Sequence, residues 1–409
     1  MLIRVPLILV VLALMLSAPA QARTWVIQPD GGGDAPTVQA GIDSSQTGDT
    51  VLLESGTYVG NGNRDLRFNG KAITVTSRSG HEMTIIDCQV ASVRGVTFAS
   101  NETAASILSE ITIRGGIETK GGGIRIVDAA PTIRDVHVTA CQAVTHGAGI
   151  SIEGRSTPLI AECQITSCNV SGSQTALGGG IYVEGSSGNE PEIEDCRIEN
   201  NRAIDGAGIY VGDFSARPII TNSWIASNTA VEKGGGLRVG TMLRCTLTGN
   251  VIYDNTATDG GGIYFDQTTG SQTHTVENNT IVENQVTGNG SGVVFEICSF
   301  DFKNSIVAFN KGAPGIWCNG ENHVVSCSIT FGNNGSDDIC SAGGENGVDN
   351  QITDPRFCGS PGSGYFYLRS NSPAAPDNSV CNTQVGALPV ACDETPVEAV
   401  TWGSIKTRF

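Results

Sequence analysis

The sequence predicts an all-β chain wound as a single-stranded right-handed parallel β-helix, a solenoid of about ten coils with about three short strands in each. Three observations carry the prediction. A glycine corner recurs as GGGI at 121–124, GAGI at 147–150, GGGI at 178–181, GAGI at 206–209, GGGL at 234–237, GGGI at 260–263 and GSGV at 290–293, spaced 26 to 31 residues apart. Within each period a second block recurs: PTIRDVHVTAC (131–141), PLIAECQITSC (158–168), PEIEDCRIENN (191–201) and PIITNSWIASN (218–228). Apolar residues alternate inside each run, as at Ile181 and Val183 or Ile209 and Val211, the period of a strand with one buried face. Helical spacing is absent, and the period is too long for leucine-rich repeats.

Taken in chain order, residues 1–22 read as a secretory signal: an early Arg4, an apolar run from Val5 to Leu16, and small residues at Ala18, Ala20 and Ala22. The expectation is an exported protein (extracellular, cell surface or periplasm) with no transmembrane segment in its mature part. Residues 23–90 form an N-terminal cap and first coils. PTVQAGIDSSQ, entered at Asp34-Ala35-Pro36, predicts a short helix with Val38 and Ile42 one turn apart, placed to cover the open end of the solenoid. Residues 91–315 are the regular coils, 316–394 a Cys-rich set of terminal coils or cap, and 395–409 a separable tail that could direct sorting or attachment.

Stacking places equivalent residues of successive coils above one another. The residue closing the second block is Cys141, Cys168, Asn201, Asn228, Asn255, Asn284 and Asn310, which predicts an inward asparagine ladder bonding amide to amide. Cys141 with Cys168, and Cys163 with Cys196, stand one coil apart. Two readings are open for them, disulfide bridges or stacked thiols that fill the core. Cys318, Cys327, Cys340, Cys358, Cys381 and Cys392 cluster near the C-terminus and predict a disulfide-tied region. They lack the paired spacing of a zinc site.

Composition narrows the function. The formal charge is −17, which argues against nucleic acid and anionic membrane as partners, since either needs a basic face. With 53 glycines and 16% charged residues, the chain suits tightly turning β-structure.

The run TWVIQPDGGGDAPTVQAGIDSSQTGDTVLLESGTY, the coils of type GGGIYV and PxIxxCxI, and the closing DPRFC and VGALPVAC resemble those of exported bacterial right-handed parallel β-helix repeat proteins of the pectin-lyase-like superfold. The resemblance spans essentially the whole chain and implies the fold. It implies less about activity, because the superfold hosts lyases, hydrolases, adhesins and proteins without assigned activity.

The position after each corner aliphatic reads Arg125, Ser151, Tyr182, Tyr210, Arg238, Tyr264 and Val294. Two residues on stand Glu153, Glu184, Asp213 (beside Gly212), Gly240, Asp266 and Glu296. Tyr182, Tyr210, Arg238 and Tyr264 thus predict an outward stripe beside a row of carboxylates, Glu153, Glu184, Asp213 and Asp266. Such a stripe suits contact with a polysaccharide or cell-surface glycan, with calcium as the one cofactor to consider. A calcium-dependent lyase acting around Arg238 is the alternative. Gly212 and Gly240 interrupt the acidic row, and the five histidines His81, His137, His146, His274 and His323 fall at unrelated repeat positions, so no catalytic set is complete. The expectation is a monomeric, non-catalytic scaffold.

Overall fold

In the computed structural model the chain is described over residues 21–392, apart from 90–91, 173–175, 213–214, 242–243, 268–272, 320–322, 336–338, 341–346 and 361. Residues 1–20 of the expected signal, the 395–409 tail and Asp213 lie outside the described residues.

All the strand pairings that build the solenoid are parallel, and they gather into long ladders. A 12-stranded sheet runs from Thr24–Ile27 to His323–Ser326 and holds the proline-entered strands such as Thr132–Arg134. A second 12-stranded sheet holds the strands that follow, such as His137–Thr139. A 10-stranded sheet holds the strands after the glycine corner, from Leu66–Arg67 through Ile124–Val127 to Ile316–Asn319. We call these the proline, middle and glycine sheets. The right-handed solenoid has about 13 turns rather than about ten, because segments at both ends lacking the glycine corner still complete coils. A fourth, narrow sheet of seven strands, Ile117–Lys120 to Gln285–Val286, adds a strand between the middle and glycine sheets of the central coils.

The corner aliphatics Ile124, Ile150, Ile181, Ile209, Leu237, Ile263, Val293 and Ile316 pair residue on residue and are fully buried. Each contributes about 1.5–3 kcal/mol of apolar burial. The asparagine ladder forms as expected. Asn228 Oδ1 accepts from the backbone and side-chain amides of Asn201 (2.9 and 3.0 Å), and its Nδ2 donates to Ile198 O (2.8 Å) and Asn255 Oδ1 (3.0 Å). All four bonding positions of a buried amide are thereby met. A second inward ladder, at the corner between the proline and middle sheets, runs through Ser223, Asn250 and Asn279 to Ser305.

The cysteine pairs resolve in favour of thiols. Cys141, Cys168, Cys163 and Cys196 are free and buried, and each sulfur donates to the carbonyl two residues earlier, as Cys163 does to Ala161 and Cys196 to Glu194 (both 3.2 Å). They occupy ladder rungs where asparagine or serine stands in later coils, so an acceptor is already in place and no bridge forms.

The helix α1 (Val38–Ser44) starts one turn later than Asp34. Thr37 caps it, its hydroxyl accepting from Ala40 N at 3.2 Å. Gly41 presses it onto the first coil; a Cβ there would stand 2.7 Å from Ile27 Cδ1. At the other end the chain does not simply plug the solenoid. Phe357, Phe366, Leu368 and Val385 fold back over the outer face of the middle sheet, on Val251, Val282, Ile306, Ala308 and Ile329. The disulfides Cys318–Cys340, Cys327–Cys381 and Cys358–Cys392 tie this segment down.

Candidate functional site

The glycine corner does more than turn the chain. Gly206 and Gly234 have φ of +55° and +64°, a conformation that favours glycine. A Cβ on Gly206 would lie 2.8 Å from Tyr210 Cβ, and one on Gly234 would lie 2.8 Å from Arg238 Cβ. The missing side chain lets the residue before the corner fold against the residue after it. Three rows therefore run along the outside of the glycine sheet.

The middle row is the one read from the sequence, and its register is confirmed: Ser151, Tyr182, Tyr210, Arg238, Tyr264 and Val294 pair in that order. Its exposure is not as expected. Tyr182, Tyr210 and Tyr264 are 8%, 6% and 4% exposed. Their faces are covered because the rows pack at coil spacing. Tyr182 and Tyr210 stack at 5.7 Å, the His146 ring meets Tyr182 edge-on at 4.4 Å, and Lys233 Nζ lies 4.3 Å from the centre of the Tyr264 ring. The tyrosines are a floor and not a set of open stacking platforms.

The row that sequence reading missed is formed by the residues immediately before the corner: Lys120, His146, Leu177, Asp205, Lys233 and Asp259, aligned by parallel pairing. The signal was present in the sequence as the residue preceding each first glycine. The third row supplies Glu153, Glu184, Asp266 and Glu296.

Two clusters of charge result. In the first, Glu153 accepts from Arg125 Nε (2.7 Å), Lys120 Nζ (3.1 Å) and Ser151 Oγ (3.0 Å). Burial alone would raise the Glu153 pKa, but the hydrogen bonds from Arg125 and Lys120 outweigh it and bring the carboxyl down to about 2. In the next coil Glu184 accepts from Gly154 N and Ser186 Oγ, so it shapes the rim. In the second cluster Arg238 donates through Nε to Asp266 (2.7 Å) and through Nη1 to Asp205 (2.6 Å). Burial works against the guanidinium charge, yet the two carboxylates hold its pKa above the ordinary arginine range. Lys233 donates to the Tyr264 hydroxyl at 2.8 Å and lies 3.8 Å from Asp266 and 3.7 Å from Glu296. The Tyr264 hydroxyl in turn donates to Glu296. Burial and the Glu296 contact raise its pKa, so the phenol is neutral.

Calcium does not fit these residues as they stand. Glu153, Asp205, Asp266 and Glu296 each face a cation within the three rows. The one His/Cys/Asp/Glu grouping of metal-binding size among the described residues is Cys327, Asp349 and Cys381, two of which share a disulfide. The histidines also depart from expectation. His146 stands in the row before the corner. His81 and His137 meet at a ring distance of 6.1 Å, with His81 Nδ1 3.2 Å from Asp135 and His137 Nε2 2.8 Å from Thr166.

A family model described as "Right handed beta helix region" matches residues 49–239, 122–300 and 164–351. No curated protein matches the chain in sequence. Among solved structures, the chain is similar to the crystal structure of pectate lyase Pel9A, at 17% identity and a TM-score of 0.58, over 90% of this chain and 96% of that one. It also matches the structure of the PL6 family alginate lyase AlyGC at 13% identity and a TM-score of 0.39, over 92% of this chain and 58% of that one. At 17% identity the likeness to the pectate lyase structure is one of fold alone.

Proposed function

The chain belongs to the right-handed β-helix family, and from that premise we propose that it is an exported protein whose three-row groove holds a polysaccharide strand without cleaving it. The observation that carries this reading is the chain of contacts across the outer face of the glycine sheet, from Asp205 through Arg238 to Asp266 and from Lys233 through Tyr264 to Glu296. The groups repeat at the coil spacing of about 4.8 Å, and they form a rigid, alternating surface of charges and hydroxyls. A linear sugar chain lying along the solenoid axis meets such a surface with hydroxyls and carboxylates at comparable intervals. Lys120, Arg125, Lys233 and Glu296, each about one-third exposed, are the side chains it would touch.

Cleavage by β-elimination asks for a base free to take a proton and a cation free to meet the sugar carboxylate. Arg238 is engaged by two carboxylates and stays charged, which makes it an anchor and not a base. The second reading, a polysaccharide lyase, is favoured by one observation: Lys233 reaches the Tyr264 hydroxyl beside Arg238. Three disulfides fit an oxidising compartment and support export by residues 1–22.

Polygalacturonate separates the readings. Retardation of the protein in a polygalacturonate affinity gel, with no rise in ultraviolet absorbance from unsaturated product when calcium is supplied, is the expected outcome. Steady product formation that disappears in Lys233→Met replaces it with the lyase. An absence of both retardation and product for this and other acidic or neutral glycans removes the groove function altogether.

A further inference from the structure

A second site lies away from the groove, where the C-terminal segment folds over the middle sheet. A half-open cavity of about 530 Å³ is lined there by Phe309, Phe357 and Phe366 below and by Arg356, Arg369, Glu283 and Asp354 around the rim. Its size falls within the usual range for small-molecule sites, which combine an apolar floor with a few placed polar groups.

The rim charges are not arranged as ion pairs. Asp354 accepts the backbone N–H of Arg356 at 2.8 Å, and Glu283 accepts the backbone N–H of Gly362 at 2.5 Å, so both carboxylates hold the loop in shape. Arg356 and Arg369 are neighbours across an antiparallel bridge, with Arg369 N donating to Arg356 O at 3.2 Å. Arg356 Nη1 donates to Asn371 O at 3.0 Å and Arg369 Nε to Phe357 O at 3.2 Å. Each guanidinium thus keeps further N–H donors, and among the described residues neither meets a carboxylate within ion-pair distance. Arg356 and Arg369, both exposed, thus bring two like charges to the lining that also holds the phenyl rings, and an anion that meets both gains forked hydrogen bonds.

We infer that this cavity binds a small ring-bearing organic carboxylate, its ring on Phe309, Phe357 and Phe366 and its carboxylate held by Arg356 and Arg369. The site is independent of the groove. It stands on the outer face of a different sheet, so its failure leaves the groove reading untouched and the reverse holds too. The segment carrying it is fixed by the Cys358–Cys392 disulfide, which begins one residue after Phe357, so the arginines are presented on a tethered loop.

The test is saturation-transfer NMR on the intact oxidised protein with phenylacetate and galacturonate as probes and benzyl alcohol and galactose as their uncharged counterparts. At least one carboxylate is expected to saturate with a Kd of about 1 mM or tighter, and its uncharged counterpart to bind at least about tenfold more weakly. Arg356→Gln and Arg369→Gln should each weaken the carboxylate by a similar factor, with Arg369→Lys recovering part of the loss. Mass spectrometry of the disulfide-linked peptides checks that each variant is folded. Absence of saturable binding by either carboxylate, or equal binding in a folded Arg356→Gln/Arg369→Gln double variant, overturns the assignment.

Discussion

Lys233 donates to the Tyr264 hydroxyl at 2.8 Å although 31 residues separate them, because the residue before one glycine corner reaches the residue after the next. The same contact places the ammonium 4.3 Å from the centre of the Tyr264 ring and within 4 Å of both Asp266 and Glu296.

Lys233→Met keeps the stem that packs on Tyr264 and removes the charge. Since the side chain is 31% exposed, its ion pairs contribute no more than about 1 kcal/mol of stability. The thermal midpoint should move little while retention by polygalacturonate falls at least about tenfold, the equivalent of 1.4 kcal/mol or more. Unchanged retention in a folded variant removes Lys233 from the proposed track.

Arg238 behaves differently because it is the hub of two pairs. Arg238→Ala leaves Asp205 without its ion-pair partner and Asp266 with Lys233 alone at 3.8 Å, at a cost of about 2–4 kcal/mol once their partial contact with water is allowed for. Arg238→Lys should recover less than half of that, since an ammonium is a compact, strongly hydrated point charge without the fixed fork with which the guanidinium spans Asp205 and Asp266. Urea unfolding of the three proteins checks this, and equal midpoints for Arg238→Ala and the parent contradict the hub.

How much of this was legible in the sequence follows from what repeats and what does not. The register of Tyr182, Tyr210, Arg238 and Tyr264 could be read because glycine corners fix it. The asparagine ladder could be read because each rung repeats the same residue. Burial of the tyrosines could not, since it arises from side chains of another row that closes over them through the corner. Lys120, Asp205 and Lys233 were hidden for a related reason: they vary in type from coil to coil, so no repeat marks them. The meeting of His81 and His137 depends on a coil that lacks the glycine corner, where the alignment gave no register. The fold-back of Phe357 and Phe366 has no periodicity at all.

The asparagine ladder predicts a cost at its centre. Asn255 accepts from Asn228 through both N–H groups at 3.0 Å and donates to Ile225 O and Asn284 Oδ1 at 2.8 and 3.0 Å. Asn255→Ala leaves buried partners unmatched on both neighbouring coils, which costs about 2–4 kcal/mol. A loss below about 0.5 kcal/mol by urea titration would show that water enters the rung.

Thiol labelling distinguishes the two cysteine classes. All seven free cysteines are buried, and burial raises the pKa of Cys88, Cys245 and Cys298, so they are poor nucleophiles when folded. Iodoacetamide should label none in the native protein and seven after denaturation without reductant. Five labels or fewer after denaturation would mean that Cys141–Cys168 or Cys163–Cys196 had closed.

His274 provides a separable acid response. It lies fully buried against Phe265, 4.7 Å between rings, and its Nε2 meets no hydrogen-bond partner among the described residues. Burial lowers its pKa from 6.5 to about 4. Below pH 6.5 the unfolded chain takes up this proton while the folded chain does not until about pH 4, so the stability held by the neutral imidazole is full above 6.5 and lost as pH falls toward 4. The loss is on the order of 3 kcal/mol. Glu153 acts in a lower window: its carboxyl is depressed from 4.5 to about 2, so its contribution is intact above 4.5 and fades below. Burial also lowers the pKa values of His137 and His146, but those groups are common to parent and variant and cancel in the difference. His274→Phe, which extends the stack toward its register partner Phe300, should therefore flatten the urea midpoint between pH 6.5 and 4 relative to the parent and leave the further fall below about 4 unchanged. If both proteins lose stability in parallel across the upper window, the buried imidazole is not the group that titrates there.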